Sequence, residues 1–125
     1  MIDYKDKFSF IDRANKSISI RTAHENYVPV IMQKFAASNV NVPDLKKQKY
    51  LIKSTDKFSL LFNTVRSNLK LPKDKALFFY VNNKIINQND LMSEVDNKHS
   101  DADGFLYVYY TLESTFGNKL TPSNK

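Results

Sequence analysis

The sequence predicts an α+β domain: a mixed four-stranded sheet with two packed helices, preceded by an N-terminal helical extension. Three observations carry this. Apolar runs too short for helices alternate with two helical stretches, in the order strand, strand, helix, strand, short strand, helix, strand. One stretch, Phe58, Leu61, Phe62, Val65 and Leu69, has the spacing of a single apolar helix face. The last strand, Phe105–Leu112, is the densest aromatic and β-branched run and lies between the only two glycines, Gly104 and Gly117.

Bulk composition fits that class. A chain of 125 residues suits one domain with one core, and a 42% apolar share suits a globular fold. Nine Phe and seven Tyr supply core volume, with no Trp. There is no cysteine, which excludes disulfides, thiolate nucleophiles and Cys-based metal sites. No apolar run approaches the ~20 residues that span a bilayer. Met1–Asp6 is too charged for a signal peptide, and Ile2 excludes N-myristoylation. The net charge of +6 favours acidic partners, or is simply a solvated basic surface.

Taken in order, residues 1–26 are polar with scattered apolar positions. Spacings Phe10 to Ala14 and Ser17 to Arg21 allow two short helices of weak amphipathicity. Tyr27–Phe35 reads as a strand, with Pro29 placing it at an edge or near the strand start because proline donates no ladder bond. Ala36–Asp44 is a loop, and Lys49–Lys53 is a second strand in a hairpin with the first. Ser54–Asp56 signals a helix start, and Pro72 stops the helix. Ala76–Val81 is an almost wholly apolar run, hence a central strand. Asn82-Asn83 turns into a short strand, Lys84–Ile86. Asn89-Asp90 can cap a helix over Leu91, Met92 and Val95. His99–Asp103 reads as a polar loop before the final strand. A right-handed crossover after the first hairpin places the last strand beside the first. This is a ubiquitin-like β-grasp. The expected organisation is a helical extension at 1–26, a ubiquitin-like domain at 27–117 and a C-terminal tail at 118–125.

Several short stretches together resemble the autophagy-related protein 8 family of ubiquitin-like modifiers, which includes the GABA-receptor-associated proteins and the microtubule-associated light chains. They are Val28-Pro29-Val30-Ile31, Pro43-Asp44-Leu45 through Lys49-Tyr50-Leu51, Lys75–Phe78, Val81-Asn82-Asn83, Leu91-Met92, Asp103–Val108 and Thr115-Phe116-Gly117. They follow the family order over roughly residues 8–117. The resemblance implies that a cysteine protease trims the chain after Phe116-Gly117. Activating and conjugating enzymes would then join Gly117 to phosphatidylethanolamine. Glycine suits this because, without a Cβ, it threads a narrow channel. The polar tail with Pro122 keeps the bond accessible.

The resemblance also implies docking of short aromatic-x-x-aliphatic motifs from cargo receptors and adaptors, added as a strand to Lys49–Ile52. Carried over, the first pocket comprises Ile20, Pro29, Ile31, Lys49, Leu51 and Phe105, and the second Tyr50, Ile52, Leu61 and Val65. Lys46, Lys47, Lys49 and Lys53 would attract acidic residues flanking the motif. The implied location is the cytoplasm, and the autophagosome or a vesicle membrane once lipidated, with no cofactor, no metal and no catalytic residue. Lys16, Tyr27, Lys53, Asp56, Thr64 and Asn68 depart from the family pattern and make the second pocket more polar.

Other classes fit less well. Gly104–Tyr110 partly mimics the RNA-contacting strand of an RRM domain. However, Asp103 stands where that pattern needs Lys or Arg, and Leu106 where it needs Gly or Ala, so no nucleic acid is expected. His24 and His99 form no ligand spacing for zinc, and His99-Ser100-Asp101 are neighbours in sequence, which does not make a triad. A ubiquitin-like adaptor that is never conjugated stays open, because residues 118–125 follow Gly117.

Overall fold

The computed structural model describes residues 3–35 and 42–112. The chain runs α1 (Tyr4–Lys7), α2 (Phe10–Ala23), β1 (Tyr27–Lys34), β2 (Lys49–Lys53), α3 (Phe58–Leu69), β3 (Phe78–Val81), β4 (Lys84–Ile85), α4 (Met92–His99) and β5 (Leu106–Thr111). The strands form one mixed sheet in the order β2-β1-β5-β3-β4. β1 pairs antiparallel with β2 and parallel with β5, Val30 lying opposite Leu106. β3 pairs antiparallel with both β5 and β4. The first and last strands are thus adjacent, as the β-grasp requires. The sheet has five strands where four are expected. Asn82 and Asn83 take φ of 50° and 65°, a primed hairpin turn that brings Lys84–Ile85 back as a two-residue edge strand.

Pro29 sits inside the sheet without harm. Hydrogen bonds from Met32 N to Gln48 O and from Ser54 N to Asn26 O set the even-numbered β1 residues as the bonded pairs with β2. The nitrogen of Pro29 therefore points towards β5, whose ladder begins only at the next residue, Val30.

The N-terminal segment differs from expectation. In place of two short helices there is one turn, α1, and a continuous α2 of 14 residues. The Asp3 carboxylate accepts from Lys5 N at 3.0 Å, and Ser9 Oγ accepts from Asp12 N at 3.1 Å, capping the two starts. Amphipathicity is weak because α2 buries Arg13 and Ser17 and exposes Ile11 and Ile18.

α3 begins at Phe58, later than Ser54–Asp56 suggests, and Lys57 gives no side-chain cap. Instead Phe58 N donates to Asp90 O and Ser59 N to Gln88 O. In return Met92 N donates to Asp56 O and Ser93 N to Ser54 O. The starts of α3 and α4 thus satisfy each other's orphan amides through backbone. Lys70, with φ 54°, closes α3. On one face of the sheet Phe58, Leu61, Val65, Met92 and Val95 pack against Val28, Val30, Met32, Phe79, Leu106, Val108 and Tyr110. Each fully buried side chain of this kind contributes about 1.5–3 kcal/mol. On the other face Tyr4, Ile31, Phe105 and Tyr107 form a smaller cluster.

Candidate functional site

β2 is the outer strand at one edge of the sheet. Because Tyr50 and Ile52 belong to the bonded pairs with β1, the N–H and C=O groups of Lys49, Leu51 and Lys53 point away from the sheet. The side chains of Tyr50 and Ile52 enter the main core, while Lys49, Leu51 and Lys53 are exposed. Lys53 O accepts from Asp56 N at 3.0 Å, and among the described residues the groups of Lys49 and Leu51 remain an outward row of unpaired donors and acceptors, a template for an added strand.

Beside this edge lies a recess of about 280 Å³, lined by Ile20, His24, Pro29, Val30, Lys47, Lys49, Tyr50, Leu51 and Phe105. Five residues assigned to the first pocket, Ile20, Pro29, Lys49, Leu51 and Phe105, meet there. The sixth, Ile31, is wholly buried beneath, packed with Tyr4, Phe105 and Tyr107. Leu51 is 37% exposed and Phe105 1%, so Leu51 forms the lip and Phe105 the floor. Burial lowers the pKa of the Lys49 ammonium from its ordinary value, and Lys16 and Lys7 push in the same direction. Its Nζ lies 5.7 Å from the centre of the Tyr4 ring, and Lys47 Nζ lies 5.0 Å from that of Tyr50.

The second group of residues is placed differently. Leu61 and Val65 have no exposure and belong to the main core, with Tyr50 and Ile52 at 5% and 8%. Those four side chains are brought together, but as packing. The surface above them carries polar groups, with Asn68 Nδ2 donating to Tyr50 OH at 3.1 Å.

The recess wall is fixed by a polar clamp between α2 and residues 101–105. Arg13 Nη1 donates to Asp103 Oδ2 at 2.6 Å, and Tyr107 OH donates to the same oxygen at 2.5 Å. Asp103 is 2% exposed, so this loop residue is interior. Its Oδ1 accepts from Phe105 N at 2.9 Å. Ser17 Oγ donates to Asp103 O. Arg21 donates to Gly104 O at 2.7 Å and grips Asp96 with two bonds at 2.8 and 3.0 Å. Gly104 takes φ 93°, and a Cβ there would collide with Ser17 Oγ. Burial, then the bond to Asp103, raises the pKa of the Tyr107 hydroxyl well above its ordinary value. Burial would raise the Asp101 carboxyl, but hydrogen bonds from Lys5 Nζ and Asp103 N outweigh it and hold the group below the usual range. The clamp sets Ile20 on α2 opposite Phe105 ahead of β5.

Sequence reasoning missed His24. It follows Ile20 by four residues, the spacing that puts two side chains on one helix face, and that signal could have found it. Phe116, Gly117 and the tail at 118–125 lie outside the described residues, as does most of the loop before Pro43. Among the described residues no helix is long and apolar enough to cross a membrane, and no cluster of His, Asp and Glu could hold a metal ion.

A mixed sheet with adjacent first and last strands, α3 and α4 on one face and α1 and α2 on the other, defines a ubiquitin-like protein with an N-terminal helical addition. The family model described as "Autophagy protein Atg8 ubiquitin like" matches residues 12–117. Autophagy-related protein 8 of Vanderwaltozyma polyspora is 36% identical over 115 residues, covering 92% of this chain and 96% of the relative. That of Candida albicans is 36% identical over 117 residues, covering 94% and 85%. The crystal structure of Trypanosoma brucei ATG8 superposes with a TM-score of 0.80 at 27% identity, covering 89% of this chain and 94% of that one. Plasmodium falciparum Atg8, solved in complex with a Plasmodium falciparum Atg3 peptide, gives 0.82 at 25% identity, covering 91% and 98%. The chain belongs to the Atg8 family of ubiquitin-like autophagy proteins.

Proposed function

We propose that this protein is an autophagy modifier that is cleaved after Gly117, conjugated there to phosphatidylethanolamine, and recruits cargo receptors and adaptors through aromatic-x-x-aliphatic motifs. The observation that carries the docking half is the outward-facing edge of β2 beside an apolar recess. The motif adds a strand through the outward backbone groups of Lys49 and Leu51 and the N–H of Lys53, and its aromatic side chain enters between Ile20, Pro29, Leu51 and Phe105. Lys46, Lys47, Lys49 and Lys53, all exposed, favour acidic residues in the ligand. Because Leu61 and Val65 are core, the aliphatic residue of the motif gains less here than the aromatic one.

Family membership and the sequence Phe116-Gly117 support the conjugation half. The partners are then a processing cysteine protease, an activating enzyme and a conjugating enzyme, the last supported by the Atg3 peptide bound to the Plasmodium relative. Two acyl chains would hold the protein on an autophagosome or vesicle membrane firmly, where one chain is marginal. The unconjugated protein would reside in the cytoplasm. The test is intact mass from membrane and soluble fractions of cells expressing the chain and its Gly117→Ala variant. A species ending at Gly117 with a phospholipid attached, absent in the variant, is the expected result. A full-length species in both fractions of the parent would leave only the docking function.

A further inference from the structure

We propose that His24 is a specificity-determining residue of the recess and makes the docking of acid-flanked peptides pH-dependent. This rests on the docking function above. His24 is the C-cap of α2, its N–H donating to Ile20 O at 2.9 Å, and so it is held one turn beyond a residue of the recess wall. Its ring meets Tyr27 edge-on at 6.0 Å and 78°. The opposite wall carries Lys47 and Lys49.

The surrounding charges favour a switch at this position. From β1, Tyr27 and Pro29 bring no charge at neutral pH. On α2 itself Arg21 is committed to Asp96 and Gly104 O, and Lys16, with Lys7 ahead of α2, acts on Lys49. Glu25 follows His24 in the chain and is exposed. Histidine is the side-chain type that ordinarily changes charge between about pH 5 and 8. When neutral it adds one donor or acceptor to the recess. When protonated it adds a third cation to a recess whose opposite wall already holds two lysines. Lysines keep their charge over this range, and glutamates in a ligand stay ionised. Acidification therefore strengthens the attraction to an acidic flank and leaves the apolar contacts unchanged. An exposed ion pair of this kind changes affinity roughly twofold to fivefold.

The chain has two histidines, which makes the test clean. His99 is on α4, with Nδ1 3.2 Å from Asn82 Nδ2, and does not line the recess. The experiment measures Kd by fluorescence anisotropy at about pH 7.5 and about pH 5.5. The ligand is a labelled Trp-x-x-Leu peptide preceded by glutamates, and the proteins are the full chain, His24→Gln and His99→Gln. Circular dichroism at both pH values confirms that each variant is folded. The parent and His99→Gln should bind about two- to fivefold tighter at the lower pH. His24→Gln should bind equally at both, and a peptide with serines for glutamates should show little pH dependence with any of the three. The same tightening in folded His24→Gln, or none in the parent, would overturn the role of His24 while leaving the docking function standing. No binding by any protein at either pH would remove the docking function, and His24's role with it.

Discussion

The two faces of the sheet are covered by different physics. α3 and α4 cover theirs with an apolar stripe, and Phe58, Leu61, Val65, Met92 and Val95 are no more than 2% exposed. α1 and α2 cover the other with few apolar side chains and with the charged clamp of Arg13, Ser17 and Arg21 on Asp103, Gly104 and Asp96. An apolar face gains stability by area, is non-directional, and tolerates substitutions of similar volume. A buried polar clamp fixes one orientation, and costs most when one partner is removed and the other stays. The first face holds the fold together. The second sets where α2 stands, and with it the recess wall.

Asp103→Ala should break this contrast most sharply. It strands Arg13 and the Tyr107 hydroxyl and should cost about 3–5 kcal/mol in denaturant unfolding. The triple change Arg13→Met, Asp103→Leu, Tyr107→Phe should recover part of that loss, because no charge is left unpaired and only the Phe105 N–H loses its acceptor. If the triple is as unstable as the single, the clamp is not an isolated polar unit. On the other face Leu61→Ala should cost about 3 kcal/mol, and no second substitution of a neighbour should restore it.

Alkaline titration sharpens the comparison further, because each face holds tyrosines that resist ionisation: Tyr110 on the first, and Tyr107 with Tyr4 and Tyr109, all raised chiefly by burial, on the second. Tyr110 is pushed up to about 12, chiefly by burial, with its OH donating to Pro43 O at 3.0 Å. Tyr107 is raised by burial and by Asp103. A raised folded-state value means that the stabilisation is complete below the ordinary tyrosine value near 10 and is lost as pH rises through the folded value. Tyrosinate absorbance should therefore rise first from other tyrosines, and the Tyr107 and Tyr110 fractions should appear only together with unfolding. Ionisation of all seven near pH 10 without loss of circular dichroism would contradict both placements.

The smallest effect is expected at the rim of the clamp, where Lys5 pairs with Asp101 at 2.5 Å in partial solvent. Lys5→Met should cost less than about 1 kcal/mol. Asp101 is held below its ordinary value, so its stabilisation is present above the unfolded carboxylate value and fades as pH falls through the lower folded one. The difference between parent and variant should accordingly vanish in acid.

How much was legible follows from the same division. The α3 stripe and the strand runs announce themselves because burial there is apolar, and the adjacency of first and last strands follows from topology alone. The clamp is silent in the sequence. Ser17 and Arg21 read only as a spacing that allows a short helix, Arg13 gives no signal, and Asp103 reads as a loop residue, because nothing local says that they are partners. The start of α3 is displaced for a related reason: its cap is backbone from the segment before α4. At the candidate site the likeness found five recess residues. The α3 spacing already assigned Leu61 and Val65 to an inward stripe, and both side chains lie in the main core.

The pairing of β1 with β5 has a consequence for synthesis. The middle of the sheet joins Val30 to Leu106, so a nascent chain that has released β1 and the α3 stripe still lacks β1's second neighbour. Until β5 leaves the ribosome, the apolar sides of Val28, Val30, Met32 and α3 lack Leu106, Val108 and Tyr110 as cover. Closing contacts so distant in sequence is slow, and exposed strands in the meantime are prone to wrong pairing. The lysines along Lys46–Lys53 lie next to that waiting strand and discourage intermolecular pairing at its flank. The sheet is therefore complete only when the last strand slots between β1 and β3.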